Sequence, residues 1–168
     1  LLLHVRNPLW QGDSELADSE VTLKPLDSAR ANEDRNQINL FLYHVSPNPS
    51  WRNHDLPPRG PGDLAGALPL ALNLCYLLTA YGRQGDELYS HRLLASAMQV
   101  LHDNPVLQAT DIASATKDSS LLGPQDLDRQ IERVRITPNV MSVEEMSKLW
   151  GMFGGQGKYR TSVTYQAS

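Results

Sequence analysis

The chain has 168 residues, which suits one domain able to bury roughly 70% of its unfolded surface. Fifteen Lys and Arg against nineteen Asp and Glu give a formal charge of −4, scattered without the basic stripe that nucleic-acid binding needs. One cysteine, Cys75, excludes a disulfide framework and a multi-thiolate metal site, and no apolar run approaches the ~20 residues of a membrane helix. In chain order, Leu1 to Leu9 reads as the end of a helix stopped at Asn7-Pro8. Gln11 to Glu20 is polar and acidic, Val21 to Pro25 reads as a short strand ending at its proline, and 27 to 36 is a charged connection expected to be solvated. Ile38 to Val45 is a clear strand. Ile38, Leu40, Leu42 and His44 take one face, and Asn39, Phe41, Tyr43 and Val45 the other. Both faces are largely apolar, which places it inside a sheet.

Ser46 to Ala67 carries five prolines and three glycines, so neither helix nor regular strand fits there. Such long connections tend to be functional or disordered. Trp51 beside Arg52 is a pair of types enriched where proteins touch partners; Trp51 tucked back onto its own domain is the other reading. Leu68, Leu70, Leu72 and Leu74 recur with the period of a strand, and apolar character continues through Leu78, which predicts a strand over 68–79 covered on both faces. Gly82-Arg83-Gln84-Gly85 breaks it, and Asp86 is placed to cap a helix over 86–103. Leu88, His91, Leu94, Ala95, Met98, Leu101 and His102 fall at helical spacing, and the apolar members predict its core face.

Gln108 to Arg129 is a second irregular region, with a short helix expected at 125–129. Alternation over 130–137 sets Val134 and Ile136 against Arg133 and Arg135, which form either a solvated edge or an interface ladder. Ser142 and Glu145 make a capping box, flanked by the staple pair Met141 and Met146. Met146, Leu149, Trp150 and Phe153 continue the helix over 142–153, with Gly154-Gly155 as its stop. Lys158 to Ala167 alternates as a half-buried strand, Arg160 lying on its more polar side. The whole predicts an α/β (α+β) domain, a mixed sheet with helices packed on it.

Catalysis finds no foothold in these residues. The five histidines show no helical zinc spacing, and there is no GxSxG elbow, phosphate-binding loop or dinucleotide fingerprint. Ser90 and His91 are neighbours on a helix, about 100° apart, so they do not make a nucleophile and base. No catalytic, cofactor-binding or metal-ligating residue is expected, and a small hydrolase using Ser90, His91 or His102 is the remote alternative.

Four segments, in order, carry a resemblance: INLFLYHVSPNPSWRN at 38–53, LALNLCYLLTAYG with HRLLASAMQVLHDNPVL across 70–107, VRITPNVMSVEEMSKLWGMF at 134–153, and YRTSVTYQ at 159–166. Together they resemble the N-terminal domain of cap (tail-terminator) proteins of extracellular contractile injection systems, of the antifeeding-prophage and virulence-cassette type. The resemblance implies one terminator-like domain over 1–168, expected to lack the family's extreme N- and C-terminal residues. It also implies a homo-hexameric ring that ends the inner tube and holds the last sheath layer. The partners are then the inner tube protein and the sheath protein, with no nucleic acid, no membrane in this segment and no cofactor. Assembly would take place in the bacterial cytoplasm, in a phage tail-like particle open to release. An adaptor or tube-end protein of a related phage tail is the alternative of the same kind. Trp51, Arg52, Arg133, Arg135 and Arg160 are the candidate interface residues, and the C-terminal strand is expected to offer an edge for strand addition.

Overall fold

The computed structural model describes residues 19–30, 34–49, 71–110, 112, 133–153 and 159–168. Within them lie β1 (Glu20–Thr22), β2 (Gln37–Pro47), β3 (Leu72–Tyr81), α1 (Glu87–Asp103), β4 (Ile136–Asn139), α2 (Val143–Gly151) and β5 (Ser162–Ala167). The strands form one five-stranded sheet in the order β1-β2-β3-β5-β4. β1 pairs parallel to β2 and every other neighbour is antiparallel, so the sheet is mixed. The expected helix at 1–9, the 50–67 part of the proline-rich connection, the helix at 125–129 and the stop at Gly154-Gly155 fall outside the described residues.

Strand periodicity sends alternate side chains of the central strands into two cores. Ile38, Leu78, Ala80 and Tyr165 meet Leu93, Leu94, Ala97, Val100 and Leu101 of α1 on one face. Leu77 meets Leu26, Met146 and Trp150 of α2 on the other, with Phe41, Tyr43 and Phe153 packed beside them. The sheet therefore has a helix on each side, which explains why β2 and β3 are apolar on both faces. Phe41 and Phe153 meet edge to face with centroids 5.2 Å apart, tying β2 to the turn after α2. A bulge between Leu42 and His44 makes Tyr43 the extra residue of β2.

The helix caps follow the sequence closely. Asp86 accepts hydrogen bonds from the backbone N–H groups of Leu88 (2.8 Å) and Tyr89 (3.2 Å). Ser142 accepts from the Glu145 N–H at 3.2 Å while the Glu145 carboxylate accepts from the Ser142 N–H at 2.8 Å, completing the capping box. α2 ends at Gly151 and its last apolar residue, Phe153, sits in the following turn.

Four expectations are corrected. The buried face of α1 is Ser90, Leu93, Leu94, Ala97, Val100 and Leu101, whereas Leu88 is 68% and Met98 37% exposed. Leu94 and Leu101 are buried as expected, but the core face continues through Leu93, Ala97 and Val100 rather than through Leu88, Ala95 and Met98. The 27–36 connection is not simply solvated: Ala29 is fully buried, and buried Asn36 accepts from the Arg83 N–H at 2.8 Å. The strand expected over 130–137 is Ile136–Asn139, with Arg135 in an isolated bridge to Val106. The C-terminal strand is no edge, since β5 sits between β3 and β4 and pairs with both.

Candidate assembly surface

The outer edge of the sheet opposite β1 is built by β4 and the residues leading into it. Arg135 exchanges both backbone hydrogen bonds with Ser168, at 2.8 and 3.0 Å. Antiparallel pairing alternates, so Thr137 and Asn139 also turn their backbone groups to β5, while Ile136 and Pro138 turn theirs outward. The segment after α1 comes alongside: Ile136 N–H donates to the Pro105 carbonyl at 2.7 Å, and Leu107 N–H to the Val134 carbonyl at 2.9 Å. Pro138 has no N–H and occupies the one kind of ladder position where none is needed. Arg133 and Arg135 are exposed along this edge, on the side opposite Ile136. Val140 and Val143, 95% and 84% exposed, follow at its far end.

Arg160 is placed differently from the other two arginines. Its guanidinium lies 5.8 Å from the centroid of the buried Tyr81 ring and pairs with Glu87 in the first turn of α1. Arg30 lies 5.7 Å from the same centroid and donates to the Gly82 carbonyl at 2.8 Å. Burial pushes the Tyr81 phenol above its ordinary value, with the two guanidiniums acting the other way. This clasp joins the chain entering β5, the end of β3, the start of α1 and the segment after β1. Periodicity cannot reveal it, because its members are up to 130 residues apart and none stands in a motif. Trp51 and Arg52 lie outside the described residues, so the structure brings together only Arg133 and Arg135 of the five expected contacts.

Ser90, the nucleophile of the hydrolase alternative, is buried and fully engaged. Its Oγ accepts from Gly82 N–H at 2.8 Å and donates to the Asp86 carbonyl at 3.0 Å. A Cβ on Gly82 would lie 1.9 Å from the Asp86 carbonyl oxygen, so the turn closes only around glycine. His91 and His102 are exposed on the outer side of α1. A cleft of about 310 Å³ lined by Asn36, Arg83, Gln84, Gly85, Asp86 and Tyr89 opens beside this turn. The Asp86 carboxylate already holds the N-terminal amides of α1 there, so the helix end is not free for an anion. Among the described residues no three His, Cys, Asp or Glu side chains are grouped to hold a metal ion. No described helix is long and apolar enough to cross a membrane, which says nothing of a β-barrel.

Among the described residues, five mixed strands with a helix on each face make an α+β fold. A solved chain with this fold is that of the sheath/tube terminator of an extracellular contractile injection system, PVC, in its extended state, at a TM-score of 0.54 and 16% sequence identity. The likeness covers 95% of this chain and 53% of that one, so the chain spans about half the length of the structure it matches. The description of the Pvc16 N-terminal domain matches residues 4–168, and the chain belongs to that family. No curated protein sequence matches it.

Proposed function

We propose that this chain is the terminator subunit of a contractile injection system, a structural protein that ends the inner tube and secures the last sheath layer. The observation that carries the reading is the family match over 4–168, supported by the fold shared with the PVC sheath/tube terminator. Residues 1–168 act as one domain, and six copies close into a ring, because a closed ring with one docking face stops polymer growth. The partners are the inner tube and sheath proteins, assembly takes place in the bacterial cytoplasm, and the chain does no catalysis. The occupied Ser90 hydroxyl supports that last point.

Arg133 and Arg135 are the proposed contacts on the exposed edge, together with Trp51 and Arg52 of the proline-rich connection. Arg160 is the weakest of the five candidates, since its side chain is engaged with Tyr81 and Glu87. Electron microscopy of particles from a deletion strain tests the function. Sheaths of irregular length with frayed distal ends are expected; uniform lengths with intact ends would overturn the terminator reading.

A further inference from the structure

We infer that Pro138 and the Pro105–Leu107 segment form an edge guard, which closes β4 to strand pairing with a second copy of this chain. Within β4 only Ile136 and Pro138 turn their backbone outward. The N–H of the first is taken by the Pro105 carbonyl at 2.7 Å, and the second has none. A strand arriving at this edge finds carbonyl acceptors but no amide donor in β4, so it can satisfy at most half of a ladder. Unpaired amides and carbonyls on an edge strand are otherwise a template for pairing, and prolines and covering segments are the usual ways of blunting one.

The second copy is the relevant partner because identical edges pair antiparallel about a two-fold axis. In that arrangement each copy brings the same outward positions, so one missing donor removes a bond from both sides at once. The opposite edge is different. Glu20 N–H donates to the Asn36 carbonyl at 2.8 Å, so Val21, the next residue, turns its backbone outward, with no partner among the described residues. Among the described residues the sheet is thus blunt at the β4 edge and unpaired at the β1 edge. Its meaning as a stop rests on the terminator reading, whereas the guard itself rests only on the hydrogen bonds of β4.

The test restores the missing donor with Pro138→Thr and, separately, Pro138→Val. Position 138 is exposed and faces away from β5 along the backbone, so both variants should keep the wild-type circular dichroism spectrum and melting temperature. Self-association is measured by sedimentation at high salt, where the exposed Arg133 and Arg135 are screened. Each variant is expected to self-associate at least about tenfold more tightly than wild type through the regained bonds. The new amide at 138 should become protected from hydrogen exchange as concentration rises. If wild type forms rings, the variants should form ring pairs of twice the mass. Variants that match wild type in mass, with a freely exchanging amide at 138, overturn the guard. That outcome leaves particle length in the deletion strain untouched, so the terminator reading stands or falls separately.

Discussion

Ser142 shows how much one local contact can be trusted at the scale of a residue. Its hydroxyl holds the Glu145 N–H, and Ser142→Ala is expected to lower stability by about 1 kcal/mol in denaturant titration, with the fold otherwise unchanged. The hydrogen bonds from Ser142 hold the Glu145 carboxyl below its ordinary value. A depressed folded value means the contribution is full above the ordinary glutamate range and is lost as pH falls through the folded value. The α2 cap should therefore weaken in acid, and Glu145→Gln should remove that pH dependence from the melting temperature. Ser90→Ala makes a sharper case. It leaves the buried Gly82 N–H without its acceptor and should cost about 1–3 kcal/mol. A cost near zero would mean that water replaces the hydroxyl.

Among the elements, α1 offers the clearest discrimination. Leu94 and Leu101 of the expected stripe are buried, while the structure adds Leu93 and Ala97, both fully buried, and leaves Leu88 and Met98 exposed. Leu93→Ala is expected to destabilise by about 2–5 kcal/mol, while Leu88→Ala, on the outer side, should change stability by no more than about 0.5 kcal/mol. Equal losses for the two would put the helix in the wrong rotation. Leu72, an anchor of the leucine alternation, is only half-buried at the start of β3, so its truncation should cost less than that of the fully buried Leu77.

For the whole molecule, the three arginines are expected to separate folding from the proposed assembly. Arg160→Ala removes a clasp on Tyr81 and Glu87 and is expected to cost roughly 0.5–2 kcal/mol in thermal or chemical unfolding. Arg133→Glu with Arg135→Glu should leave the melting temperature within a degree or two, since both side chains are exposed. The same double variant should weaken ring formation or docking on the tube, read by native mass spectrometry and by the distal ends of particles. Wild-type assembly by that variant would remove this edge from the list of contacts.

The amino-acid sequence by itself determined what depends on neighbours in the chain. The capping box at Ser142 and Glu145, the Asp86 cap, the apolar run of α2 and the two-sided strands β2 and β3 are all local, and each was legible from spacing. Strand order, by contrast, is a long-range choice. Nothing in YRTSVTYQ says that β5 lies between β3 and β4, because its alternation would look the same at an edge. In α1 the period placed Leu94 and Leu101 in the core, whereas the sheet decided that Leu93 and Ala97, not Leu88 and Met98, complete that face. Alternation over 130–137 does not single out Pro138; its importance comes from the tertiary contact by which Pro105 holds the neighbouring amide. The clasp of Arg30 and Arg160 on Tyr81 joins four distant segments, so only the tertiary structure could bring it into being.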